Sequence, residues 1–398
     1  MQRGRRCSTK ASEAERALNL DDSRYYTAAH RQFRDALERF VRAEILPGIE
    51  AWEEAGAFPR ELYRKAANVG LLGIGFPEEY GGTPADTFHH LVAIDALAAA
   101  GSGGLIASLL SHGIGAPPIL HFGSEALKRR VLPPILAGEK ISALAVTEPS
   151  GGSDVANLRT RARFERGEYV VGGAKMFITS GMRADYYTVA VRTGGPGASG
   201  LSLLLIERDR PGFTRTPLEK MGWWTSDTAA LYFDEVRVPA ANLIGAEGEG
   251  FKAIMANFNL ERLTMAAIAC SFARVCLADA LAWARERRSF GAPLIERQVI
   301  RHKLVDMRTR IEAAQALLED LAWRVQQGEA PVAQLAMLKN FSARVMQFCA
   351  DAAVQILGGA GYMRGTRPER IYREAKVMMI GGGAEEIMKD LAARRLGW

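Results

Sequence analysis

The sequence predicts an α+β fold in three stretches: helical, then β-rich, then helical again. Three observations carry that reading. Apolar residues keep helical spacing near the start, the texture turns to short β-rich runs around residue 141, and a heptad seam runs through the last third. A length of 398 residues suits two or three packed domains rather than one. With 48% hydrophobic and 24% charged residues, the composition is that of an ordinary globular chain, which excludes a disordered or fibrous protein. No apolar run is read as reaching the roughly 18 residues of a membrane helix, so a membrane-spanning or membrane-inserted chain is not expected.

Taken in order, residues 1–24 read as a disordered basic arm. Arg3, Arg5, Arg6 and Lys10 supply four of the six formal positive charges, so the pI of 9.2 reports this tail and no nucleic-acid footprint is expected. The tail lacks an apolar core, so no secretory signal is expected, and Glu13 and Glu15 argue against an organelle presequence. Residues 25–140 read as an N-terminal helical domain. From Gln32 to Ile45, apolar residues at Phe33, Ala36, Leu37, Phe40, Val41 and Ile45 mark one helix, which Pro47-Gly48 stops; Gly81-Gly82 and Pro117-Pro118 break those that follow.

Residues 141–249 read as a central β domain. Its runs are Tyr169 to Thr179, Tyr186 to Val191, Leu201 to Ile206 and Leu231 to Val238, with a loop or hairpin at Gly194-Gly195-Pro196-Gly197. Residues 250–398 read as a C-terminal helical bundle. Leu304, Met307, Ile311, Ala314, Leu318, Leu321 and Val325 alternate steps of three and four, the pattern that buries one stripe against neighbouring helices.

Cys7, Cys270, Cys276 and Cys349 form no CxxC pair and are too sparse for a disulfide framework, which points to a reducing compartment, with the cytoplasm as default. The six histidines form no HExxH and no Cys/His cluster, so no metal site is expected. Nucleotide fingerprints are also missing. Gly358-Gly359-Ala360-Gly361 follows a helical stretch instead of a strand, and no GxxxxGK[ST] occurs.

Four other segments stand in a telling order. They are Thr147-Glu148-Pro149-Ser150-Gly151-Gly152-Ser153-Asp154, then Gly173-Ala174-Lys175-Met176-Phe177-Ile178-Thr179-Ser180-Gly181, then Arg287 with Phe290-Gly291 and Gln298, then Gln355 to Tyr362. Together they resemble the acyl-CoA dehydrogenase family from about residue 25 onward. The resemblance implies a central β-barrel, a C-terminal four-helix bundle, a homotetramer and FAD held in an extended pose between subunits. Carried over by motif, Val146 and Thr147 would meet the flavin ring, and Ser153 would meet a phosphate of FAD or the substrate. Phe177 and Thr179 would flank the ring. Arg287, Phe290 and Gln298 would reach the pyrophosphate and adenine from a neighbouring chain, and Gln355, Gly358, Gly359, Ala384 and Glu386 would line the same cofactor. The residue types agree, since arginine offers a fork to phosphates and glycine lets backbone approach a ligand.

Dehydrogenation across a thioester's Cα–Cβ bond needs a base for the α proton while a flavin takes the β hydride. Much of the family carries that carboxylate in a late Ile-Tyr-Glu-Gly-Thr segment. Here the matching stretch is Ile380-Gly381-Gly382-Gly383-Ala384, with Gly382 where the glutamate would stand. The site is therefore either dead or has a relocated base. Asn259-Leu260-Glu261-Arg262-Leu263 supplies the candidate and resembles isovaleryl-CoA and long-chain acyl-CoA dehydrogenases, which place the glutamate in this helix. Glu261 is read as the base, with Asn259, Arg262 and Gly382 beside the substrate. A plain helix ion pair is the other reading of Arg262. Trp224 stands where many relatives carry arginine, and the pair Trp223-Trp224 reads equally as simple packing.

The resemblance implies an acyl-CoA substrate and a trans-2-enoyl-CoA product, with electrons passed to electron-transfer flavoprotein. A flavin oxidase or monooxygenase of the nitroalkane-oxidase kind, and a non-catalytic scaffold, are the alternatives on the same fold.

Overall fold

The computed structural model describes residues 18–20 and 23–398. The basic arm expected over 1–24, with Arg3, Arg5, Arg6, Cys7, Lys10, Glu13 and Glu15, lies almost wholly outside the described residues. Within that stretch Leu18 and Leu20 are buried, and the Leu18 N–H donates to Asp95 Oδ2 at 3.2 Å. The chain forms two compact units that interleave along the sequence. One comprises the described part of Met1–Glu50 with Asp86–Gly103 and Arg262–Trp398; the other comprises Ala51–Ala85 and Gly104–Glu261.

The second unit is built on a sheet of strands β1 (Ser142–Ala145), β2 (Arg161–Glu165), β3 (Glu168–Thr179), β4 (Tyr186–Arg192), β5 (Leu201–Glu207), β6 (Phe213–Pro217), β7 (Thr228–Pro239) and β8 (Leu243–Ile244). Their order is β6-β7-β3-β2-β4-β5-β8, with β1 parallel to β4. The four β-rich runs read from sequence fall within β3, β4, β5 and β7. The Gly194–Gly197 segment lies in the connection between the antiparallel β4 and β5. The path does not return on itself, which corrects the expected closed barrel to an open sheet. Closure needs continuous pairing between the end strands, and β8 is only two residues long. Strands β5 and β8 and the Glu125–Leu136 helix share a core that includes Val131, Ile135, Leu203, Leu205, Ile244 and Ile254.

The first unit is helical. Its principal helices are α1 (Ala28–Phe40), α2 (Thr87–Ala98), α3 (Gly250–Glu286, which begins in the other unit), α4 (Gln298–Gln326), α5 (Val332–Leu357), α6 (Arg367–Ile380) and α7 (Glu385–Leu396). Helix α1 starts earlier than the apolar spacing indicated and runs on into a π-helical turn at Val41–Ile45. The heptad seam lies on α4 and is buried from Leu304 to Leu321, while Val325 is half-buried. Helix α3 corrects the expectation that no segment suits a membrane: by length and composition it is apolar enough to span one. In this fold 89% of its most apolar window is buried inside the protein, which accounts for that apolarity.

Candidate active site

In the sheet unit the motif residues converge by backbone pairing. Met176 at the end of β3 donates its N–H to the Thr147 carbonyl at 2.8 Å, which sets Val146-Thr147 alongside Phe177 and Thr179. Beneath this edge Lys175 is fully buried. Its Nζ donates to the Val146 carbonyl at 3.0 Å and to Glu148 Oε1 at 2.9 Å. Glu148 also accepts the N–H groups of Arg159 (2.7 Å) and Thr160 (2.8 Å). Burial lowers the Lys175 ammonium to about 8 against the pull of Glu148. Burial also pushes the Glu148 carboxyl up, but Lys175 and the two backbone donors outweigh it and hold it below its ordinary value.

One residue beyond Lys175 the pairing with β7 slips. Lys175 faces Leu231 and Ile178 faces Ala229, so β3 carries one extra residue, a β-bulge. The bulge leaves Phe177 at φ +62° with 68% of its surface exposed. A large aromatic in left-handed backbone is uncommon and is a recognised mark of functional sites. Ser180, at φ +58°, is buried, and its hydroxyl reaches Ser108 Oγ at 3.4 Å, which bonds Ser226 Oγ at 3.0 Å. Asp227 Oδ2 accepts the N–H groups of Met182 and Arg183, each at 3.0 Å, and holds the turn after β3. Burial raises the Asp227 carboxyl despite Arg183. Trp224 donates Nε1 to the Lys220 carbonyl at 2.9 Å, so this tryptophan anchors a turn. Ser153 is exposed on the loop that the reciprocal Glu148–Gly151 backbone bonds pinch off.

In the helical unit Arg287, Phe290, Gln298, Gln355, Gly358, Gly359 and Glu386 lie at the surface. Arg287 directly follows α3, and Phe290 caps the hairpin of Arg288–Ser289 with Ala292–Pro293, at φ +50° and 98% exposed. Arg297 braces that hairpin by donating to the carbonyls of Ser289 (2.9 Å) and Phe290 (3.1 Å). Gln298 opens α4. Gln355, Gly358 and Gly359 sit exposed where α5 ends, with Gly358 at φ +62°. The Gly381–Ala384 loop is tied to α5 by Lys339 Nζ to the Gly383 carbonyl (2.7 Å), and Asn340 Nδ2 holds the Glu385 carbonyl (2.9 Å). Glu385, not Glu386, takes the ion pairs with Arg344 and Lys389; hydrogen bonds from both hold its carboxyl at about 2. Glu386 is exposed. On α3, Asn259 and Glu261 are half-buried and Arg262 is buried. Lys175 and Glu148 are motif residues whose role is visible only in the fold. The available signal was a lysine in the middle of an otherwise apolar strand, which needs a partner if buried.

Within the sheet unit the donor set suits a flavin ring, with hydroxyls and backbone groups beside an exposed aromatic held on a bulge; the helical unit separately carries an exposed arginine and glycine backbone at a helix end, groups of the kind that bind phosphates. Three family profiles cover the chain: acyl-CoA dehydrogenase N-terminal domain over residues 27–139, middle domain over 143–236 and C-terminal domain over 248–397. The sequence is 39% identical over 366 residues to an acyl-CoA dehydrogenase of Bacillus subtilis, covering 91% of this chain and 96% of that one. The fold matches a probable acyl-CoA dehydrogenase of Mycobacterium abscessus at a TM-score of 0.92 and 49% identity, over 94% of this chain and 100% of that one. It also matches a glutaryl-CoA dehydrogenase of Mycobacterium smegmatis solved in complex with FADH2, at 0.89 and 28%, over 94% and 96%. The chain belongs to the acyl-CoA dehydrogenase family. It is an FAD-dependent oxidoreductase acting on acyl-CoA.

Proposed function

We propose that this enzyme converts an acyl-CoA thioester to its trans-2-enoyl-CoA, with Glu261 as the base that takes the α proton. Bound FAD supplies the hydride acceptor for the β carbon. One observation carries the choice of base. Gly382 and Gly383 occupy left-handed backbone, at φ +63° and +109°, so the late position is shaped for glycine and holds no carboxylate. Glu261 instead sits on the long helix α3, half-buried and followed by the buried Arg262, and supplies a carboxylate able to accept a proton. Asn259, Arg262 and Gly382 are the residues assigned to the substrate by the same motif reading. Thr147, Phe177 and Thr179 would flank the flavin ring, the threonines offering hydroxyls and Phe177 an apolar surface.

Electrons pass to electron-transfer flavoprotein. The active form is a cytoplasmic homotetramer in which Arg287, Phe290 and Gln298 of one chain hold the FAD of another. The deciding experiment is anaerobic reduction of the bound flavin by a panel of acyl-CoA thioesters. Bleaching by wild type, and bleaching orders of magnitude slower in Glu261→Gln, is the expected result. A near wild-type rate in Glu261→Gln overturns the assignment of the base.

A further inference from the structure

We propose that the buried Lys175–Glu148 pair is a positioning clamp. It sets the register between Val146-Thr147 and the β3 bulge, and through that the surroundings of the flavin ring, without touching the cofactor. The inference rests on the ring placement along those two segments proposed above.

Lys175 exposes no surface, so it cannot contact a ligand. Its ammonium nevertheless grips the Val146 carbonyl and the Glu148 carboxylate, on either side of Thr147. Glu148 carries the grip to Arg159 and Thr160, and the Thr160 hydroxyl returns to the Ala174 carbonyl at 3.1 Å. Three chain segments thus close around one charge pair. The bulge begins directly after it, and only Met176, bonded through its N–H to the Thr147 carbonyl, stands between Lys175 and Phe177, which turns outward at φ +62°. A buried ion pair is a poor device for stability, because packed apolar side chains serve as well. What it offers is direction, since an ammonium and a carboxylate fix where their partners sit, and an apolar pair would only fill the volume.

The test uses the FAD-loaded enzyme and two variants. Lys175→Met/Glu148→Gln removes both charges and leaves a Gln oxygen to accept from one of the two N–H groups, of Arg159 or Thr160. Glu148→Asp keeps both charges and shortens the reach. The measurements are the FAD dissociation constant, the visible flavin spectrum, the flavin midpoint potential and the thermal midpoint. The double variant should bind FAD roughly tenfold or more weakly, with a shifted spectrum and potential. Glu148→Asp should shift spectrum and potential with little change in thermal midpoint. Unchanged flavin properties in whichever variants are soluble overturn the clamp, even if thermal midpoints fall, since that is the behaviour of a purely structural pair. Thr179→Val separates the two readings. If it alters the spectrum while the clamp variants are silent, the clamp alone is wrong. If it too is silent, the ring placement has failed and the clamp falls with it.

Discussion

Backbone conformation at single residues decides much of this chemistry. Among the described residues six non-glycine positions have positive φ, and Phe177, Ser180 and Phe290 of these lie in the segments that carry the family motifs. Conformations of this kind persist only where the surroundings over-determine them. The late loop shows the converse. Gly383 has φ +109°, a backbone conformation that side chains rarely adopt, and a Cβ there would also have to displace the flexible end of Met388. Gly383→Ala should therefore cost about 1–3 kcal/mol in chemical denaturation; a loss below about half a kilocalorie would mean that the loop relaxes without strain. The same geometry bears on moving the base. A glutamate at 382 must adopt left-handed backbone, so Glu261→Gly/Gly382→Glu should recover flavin reduction only weakly compared with Glu261 itself. Full recovery would show that the loop accepts side chains. The glycine run and the missing carboxylate were legible in the sequence. The φ angles were not, because no residue pattern distinguishes a glycine needed for left-handed backbone from one that merely tolerates it.

At the scale of elements, the α4 seam and the junction of α1 with α2 show opposite degrees of legibility. Leu318 is buried in the seam, so Leu318→Ala should destabilise by about 2–5 kcal/mol. A change under half a kilocalorie would place the stripe against solvent. Periodicity exposed that stripe because each residue contributes the same apolar signal. The α1–α2 junction left no comparable trace, since it depends on polar residues far apart in sequence. The Thr27 N–H donates to His30 Nδ1 at 2.8 Å, which puts the proton of that ring on Nε2, facing Asp86 Oδ1 at 2.8 Å. Asp86 in turn caps α2 through the His89 N–H at 3.0 Å. His30, Asp86 and His89 come close enough for a metal set, but with Nε2 protonated His30 offers no lone pair there, and the cluster works as a double cap. Burial raises the Asp86 carboxyl, yet the bonds from His30 and His89 outweigh it and hold it at about 2, below the ordinary 3.8. A depressed carboxyl adds stability that is present above its unfolded value. That contribution is lost as pH falls from about 4 toward about 2. Asp86→Asn should flatten the acid limb of stability against pH in this window, measured by urea denaturation; an unchanged acid limb would exclude the cap as its source. The short strands β1, β2, β6 and β8 were likewise illegible, being held by neighbours in the sheet more than by β-branched runs of their own.

For the whole molecule, the helical unit presents groups that make little sense on an isolated chain. Phe290 is almost fully exposed on a hairpin that Arg297 holds rigid, Tyr362 is 86% exposed just beyond Gly358-Gly359, and Arg287 stands at the surface between α3 and that hairpin. Exposed aromatics on braced backbone mark a surface prepared for contact. The proposal that these groups hold FAD across a subunit boundary makes cofactor and assembly thermodynamically linked, because a ligand bound only by the assembled form stabilises that form. Arg287→Ala removes a guanidinium suited to two phosphate oxygens without touching any buried contact. The monomer fold should therefore survive, with an unchanged far-ultraviolet circular dichroism spectrum. FAD occupancy should fall, and wild type should elute at about four times 43.4 kDa while the variant shifts toward smaller species. Added FAD should restore part of the larger species, which a defect confined to folding would not allow. If Arg287→Ala keeps full FAD and full assembly, the arginine does not reach the cofactor of a neighbouring chain, and the interfacial arrangement loses its main support.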